Sequence, residues 1–96
     1  MRPSVVFDNN RQVIREAVTR RRAENPRIFG SVLHGTDHNG SDIDILVDAL
    51  PDTTLFDLGG LQEELSEKLG VPVQILTPED LPIYFREAVV AEAQAV

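Results

Sequence analysis

The sequence predicts an α/β (α+β) domain, a small mixed sheet of about three strands packed against helices. Three observations carry that expectation. Ile43, Ile45 and Val47 alternate with Asp42, Asp44 and Leu46, the period of a half-buried strand. Leu58, Leu61, Leu65 and Leu69 recur at i, i+3, i+7 and i+11, the stripe with which a helix covers a sheet. Helical and strand patterns then alternate along the chain as αβαβαβα, punctuated by proline and glycine, as in a layered domain.

Taken in order, Asp8-Asn9-Asn10 offers capping oxygens, and Val13, Ile14, Ala17 and Val18 follow at helical spacing. That first helix is expected to run to Arg22 or Ala23. Asn25-Pro26 ends it, because proline drives the preceding residue out of helical geometry. Ile28-Phe29 reads as a short buried strand, and Gly30-Ser31 opens a brief helical turn through Leu33. Residues 35–40 hold two glycines, Asp37 and Asn39 and no apolar side chain, hence a polar turn.

The strand from Asp42 to Val47 comes next and is broken by Leu50-Pro51. Asp52-Thr53-Thr54 begins the leucine-striped helix. Gly59-Gly60 weakens its first half by about 1 kcal/mol per glycine relative to alanine, so the helix either frays there or packs its backbone against the acidic strand. Gly70 stops it. Val71–Leu76 reads as the third strand. Thr77-Pro78 then starts a last helix, with Thr77 as cap and Pro78 at the first helical position. Leu81, Phe85 and Ala88 or Val89 supply its apolar face, and Pro82 falls early enough to be tolerated.

Ninety-six residues, 42% of them hydrophobic, make a single domain over 1–96. There is no cysteine, which excludes disulfides, thiolate zinc sites and a thiol nucleophile. No apolar run reaches the length of a membrane span, and no signal-peptide layout opens the chain, so a cytoplasmic protein is the simplest expectation. Charge is unevenly distributed. Residues 1–35 carry seven arginines against three acids, a balance of +4, whereas residues 36–96 carry Lys68 and Arg86 against thirteen acids, a balance of −11. The net charge of −7 argues against direct DNA binding. Arg20-Arg21-Arg22 reads as a solvated helix end rather than a phosphate contact.

The chemistry concentrates between Arg27 and Asp48. Asp42 and Asp44 leave the same strand face about 7 Å apart, at roughly 3.3 Å per residue. Two such carboxylates can converge on a pair of Mg²⁺ ions about 3.5–4 Å apart, the arrangement of phosphoryl and nucleotidyl transfer. Gly30 lets a backbone approach an anion, and Ser31 adds a hydroxyl. Ser41 is read as a turn residue that aims Asp42. His34 and His38 need no metal role, since hard Mg²⁺ prefers oxygen; His38 is the better placed to touch phosphate. Asp48 lies about 13 Å beyond Asp44 at strand rise, too far to share a metal.

Phe29-Gly30-Ser31, ten intervening residues, then Asp42-Ile43-Asp44, together with Gly35, Leu61–Leu65, Leu69-Gly70 and Leu76–Leu81, resemble the minimal nucleotidyltransferase domain of the DNA polymerase β-like superfamily. Small members of that family are antitoxins paired with helical HEPN-type toxins. The resemblance implies that Gly30 and Ser31, helped by Ser41, bind the nucleotide, and that Asp42 and Asp44 hold two Mg²⁺ ions with ATP as substrate.

One departure stands out. The resemblance places a third carboxylate at position 74, and this chain has Gln74, which cannot accept the proton of an attacking hydroxyl. Three outcomes follow: slow catalysis, a substitute acid such as Asp57, or binding without catalysis. Larger transferases of the resembled superfamily hold the acceptor on a second domain; with a single domain read over 1–96, the acceptor is expected to come from another macromolecule or from another subunit of a homo-oligomer. The leading expectation is AMP transfer from ATP to a tyrosine of a HEPN-type toxin. The alternatives are a non-catalytic binder that masks the same partner and a dimeric small-molecule nucleotidyltransferase.

Overall fold

A computed structural model describes Met1–Val96. Two helices, α1 (Pro3–Asn9) and α2 (Arg11–Arg20), lead into strand β1 (Ala23–Phe29), a five-residue helix α3 (Gly30–His34) and strand β2 (Ile43–Ala49). Helix α4 (Leu55–Leu69), strand β3 (Val73–Leu76), a 3₁₀ turn at Pro78–Asp80, helix α5 (Ile83–Glu92) and strand β4 (Gln94–Ala95) complete the chain.

The strands form one mixed sheet in the order β3-β2-β1-β4. β2 runs parallel to β3 and antiparallel to β1, and β4 runs antiparallel to β1. The two crossovers, β2-α4-β3 and β3-α5-β4, therefore travel in opposite directions across the sheet. One face carries Ile28, Ile43, Ile45, Val47, Val73 and Ile75 and packs on Ile14, Ala17 and Val18 of α2 and Leu61, Leu65 and Leu69 of α4. The leucine stripe is thus where its spacing put it. The other face, with Asp44, Leu46 and Gln74, carries the chemistry.

The expected fold class holds, and the differences have local causes. Pro3 at the first helical position starts α1, which the expectation of a single N-terminal helix omitted. Asn10 separates α1 from α2 and bonds back to the Val6 carbonyl instead of capping α2. α2, the helix expected to run to Arg22 or Ala23 before Asn25-Pro26, ends at Arg20. Arg22 turns the chain at a φ of 60°, and Asn25 and Pro26 sit inside β1, where the register shifts between Glu24 and Arg27. Proline has no N–H for a ladder, so it is accommodated where the pairing is already broken.

Gly59 and Gly60 lie in a continuous α4 that does not fray. A side chain at Gly60 would meet the Arg21 guanidinium, so the close neighbour is Arg21 rather than the acidic strand. The arginine cluster is spent within the fold. Arg20 and Arg21 reach Glu64 at 2.8 and 3.1 Å, and Arg22 reaches Asp52 at 2.7 Å. Lys68, foremost, and the two arginines hold the Glu64 carboxyl down to about 2. β4 is a two-residue edge strand with no sequence signal, held by pairing with Arg27 and Ile28. No helix is long and apolar enough to cross a membrane.

Candidate active site

The site begins where β1 becomes α3. Phe29 is extended, Gly30 turns with a φ of 75°, and the chain enters one short helix closed by Gly35 at a φ of 72°. Two requirements select glycine at position 30. Its φ lies in the left-handed region, and a Cβ there would collide with the Asp44 carboxylate, whose Cγ would stand only 3.1 Å away. The Gly-Ser turn and the acidic strand therefore meet across one small surface, with Asp44 directly over Gly30.

Strand pairing assembles the rest. Asp44 is opposite Phe29 on one side and in register with Gln74 on the other. Registered neighbours share a face, so Gln74 projects beside Asp44. Asp42 precedes β2 and leaves on the same side two residues earlier. Asp42 is exposed and Asp44 partly buried. Burial, reinforced by the charge of Asp42, pushes the Asp44 carboxyl up to about 6. Burial is the larger cause and the neighbouring Asp42 charge the smaller, and a bound cation would relieve both. Two carboxylates and the neutral Gln74 amide are the hard oxygen donors of the pocket, and no third acid completes a cage of protein ligands. That set fits Mg²⁺, which binds through one or two carboxylates while phosphates and water fill its remaining positions.

The loop between Ser31 and Asp42 is tied at several points. The Thr36 N–H donates to the Ser31 carbonyl at 3.0 Å. The Ser41 hydroxyl accepts from the His38 N–H at 3.0 Å, while the Ser41 N–H donates to the His38 carbonyl. Asp37, which the sequence marks only as a polar-turn residue, has a fully buried side chain. It accepts from the Ser4 N–H and from Arg2, each at 2.8 Å, and so caps α1. Burial raises its carboxyl, but the bonds from Ser4 and Arg2 outweigh that and hold it below the ordinary range. The available signal was Arg2-Pro3-Ser4, a helix start lacking a capping residue of its own.

Other candidates are placed elsewhere. Asp57, the suggested substitute acid, forms a capping box with Thr54 at 2.9 and 3.2 Å. It follows the far end of β2, about 20 Å along the strand from Asp42 at 3.3 Å per residue, and is removed as a catalytic acid. Asp48 bonds to Asn25 at 3.0 Å and to Arg27 at 3.1 Å. His34 pairs with Glu92 at 3.1 Å, and the His38 ring meets the Asn39 carbonyl at 2.8 Å.

A mixed sheet with this connectivity, a Gly-Ser turn and a facing acid pair define a polymerase β-like nucleotidyltransferase domain. Comparison with known proteins agrees: residues 11–96 match the model of the nucleotidyltransferase domain, and the chain belongs to that family. A Methanocaldococcus jannaschii protein, provisionally named a protein adenylyltransferase, is 38% identical over 66 residues, 69% of this chain and 71% of its own. A solved structure described as a candidate minimal nucleotidyltransferase superposes with a TM-score of 0.82 at 31% identity, covering 97% of this chain and 93% of the other. A toxin–antitoxin structure with AMP-PNP superposes at 0.74 with 24% identity, over 91% and 71% of the two chains, and shares the fold.

Proposed function

We propose that this chain is a Mg²⁺-dependent adenylyltransferase acting as an antitoxin. It transfers AMP from ATP to a hydroxyl, that of a tyrosine, on a HEPN-type toxin partner. The observation that carries the reading is the meeting of Gly30 with Asp44 beside Asp42. The family and the name of the archaeal relative support nucleotidyl transfer to a protein, and the toxin–antitoxin neighbours supply the kind of partner.

Gly30 leaves room for a phosphate chain alongside the backbone, and the Ser31 hydroxyl donates to it. Ser41 keeps the preceding turn closed so that Asp42 stands next to Asp44. Asp42 and Asp44 would hold Mg²⁺, which when bound neutralises the triphosphate and the developing charge on the leaving pyrophosphate. The acceptor oxygen forms the new bond to the α-phosphorus as pyrophosphate departs. Gln74 lies beside Asp44 and can orient the acceptor hydroxyl but cannot take its proton. With Asp57 committed to its helix cap, the acceptor's proton leaves to solvent water rather than to a side chain at position 74, and slow transfer is the consequence.

Gln74 also favours a second reading, in which the same surface masks the toxin without modifying it. The two separate in one experiment. Wild type is incubated with ATP, Mg²⁺ and the product of the adjacent gene, and the partner is weighed by mass spectrometry. A mass increase of AMP, lost in Asp42→Asn/Asp44→Asn, supports transfer. Neutralisation without a mass change, surviving the double substitution, refutes transfer and leaves masking.

A further inference from the structure

Apolar exposure in this chain is concentrated. Of eight large hydrophobic side chains left in solvent, six lie in two segments, Leu55 and Phe56 at the start of α4 and Ile83, Tyr84, Phe85 and Val90 on α5. Phe56 and Tyr84 are 91% and 95% exposed. The segments adjoin a common boundary, the 3₁₀ turn. Asp48, Leu55, Leu58, Glu79 and Asp80 line one hollow of about 510 Å³, and Pro78, Ile83, Arg86 and Val90 belong to the next, of about 500 Å³.

α5 is unusual in itself. No side chain along its ten residues is buried. Arg86, Val89 and the adjoining Ala93 are its half-covered positions, at i, i+3 and i+7, and mark the side turned to the domain. Tyr84, Glu87, Ala88 and Ala91 point away, with Ile83 and Val90 on the flank. An isolated helix of this length is marginal in water. α5 is held mainly by Arg86, which donates to the Leu81 and Glu79 carbonyls, and by the Glu92–His34 contact.

The charge around this face selects its occupant. Glu79, Asp80, Glu87 and Glu92 surround it, and the lone cation, Arg86, is engaged with backbone carbonyls. A second copy meeting it face to face would set these acids against their own images, in a chain of net charge −7. The small Ala88 and Ala91 permit the close approach of another helix. The C-terminal end of α5 touches His34, three residues beyond Ser31, so a protein lying along α5 extends toward the Gly-Ser turn.

We infer that the face formed by Leu55, Phe56, Ile83, Tyr84 and Val90 docks the acceptor protein, through a helix whose apolar stripe is flanked by lysine and arginine. The identity of that partner as the acceptor rests on the transfer reading above; the surface itself does not.

The test measures calorimetric affinity of the separately purified adjacent gene product for wild type, Tyr84→Asp, Phe56→Asp and Asp42→Asn/Asp44→Asn. Both aspartate substitutions on the apolar face are at fully solvated positions, and circular dichroism and ATP binding check that they fold. Expected are a weakening of about 30-fold or more in each, an affinity for wild type that falls as salt rises, and unchanged affinity in the Asp42/Asp44 double variant. Wild-type binding without AMP transfer would sink the transfer reading and leave the docking face standing. Equal affinity in wild type and both face variants, or no binding by wild type, overturns the docking face. A dimer of the chain alone that Tyr84→Asp dissociates also overturns it, by assigning the face to a second copy.

Discussion

Asp44→Asn should make the metal-free protein more stable. In the folded chain burial and the Asp42 charge push the Asp44 carboxyl from 3.8 to about 6. At about 1.4 kcal/mol per unit, that shift sets a ceiling of about 3 kcal/mol on what the ionised side chain costs the fold above pH 7. Asp44 is only partly buried, and solvent screening reduces the figure to about 1–2 kcal/mol. An amide of the same shape carries no such cost. In a domain of this size, the gain corresponds to a rise in Tm of about 5–10 °C.

The pH dependence gives the mechanism its sign. A raised acid pKa means that between pH 3.8 and about 6 the native state retains a proton the unfolded chain has released. Wild type loses stability as pH rises through that window, and Asp44→Asn does not. The difference between them should be absent near pH 4, open by pH 6 and stay level above 7. Denaturant unfolding at pH 4, 5, 6 and 7.5, with chelator present, measures it; titrating groups not coupled to Asp44 cancel in the comparison. Added Mg²⁺ should narrow the gap from the wild-type side, because only wild type has the full acid pair. A gap independent of pH, or an Asp44→Asn protein no more stable than wild type at pH 7.5, would refute the electrostatic account.

Gly30→Ala combines a left-handed φ with a collision against Asp44, so a loss of about 2 kcal/mol or more is expected, along with weakened ATP binding by calorimetry. Gly59→Ala meets nothing within 4 Å in mid-helix and should stabilise the fold by about 1 kcal/mol. Gly60→Ala must first displace the Arg21 guanidinium from beside Glu64, so its gain in a parallel melt should be visibly smaller.

Much of the fold and the core of the candidate site was legible in residue spacing. The Leu58–Leu69 stripe and the Ile43–Val47 alternation are periodic signals, and period alone assigns their buried faces. Gly30-Ser31 and Asp42-x-Asp44 were legible through their ten-residue spacing and the family it resembles; at Gly30 the structure adds a φ above zero and a close approach that restrict the residue type. Asp37 was not legible, because its partners lie more than thirty residues away and a buried acid looks like a turn residue until α1 is docked on it. β4 formed without any propensity of its own, since an edge strand needs only a vacant ladder. The reading of α5 failed instructively. Leu81 is buried as its pattern asked, but Phe85 is half exposed, Ala88 is exposed and Val89 only half covered. An apolar period shows that a face wants covering and is silent on which chain covers it.

That silence connects the two anomalies of the molecule. Gln74 leaves the acid pair without a proton acceptor, and α5 leaves an apolar face without a cover. A self-sufficient enzyme would bury the one and supply the other. Here Asp42 is exposed, and the Glu92 end of α5 reaches His34, at the end of the short helix that the Gly-Ser turn opens. A protein bound along α5 would supply a wall, exclude water from around Asp44 and lower the effective dielectric in which Asp42 and Asp44 act. If the proposed transfer holds, the missing acid at position 74 and the exposure of the last helix have a single origin: part of the working site is carried by the molecule the domain acts upon.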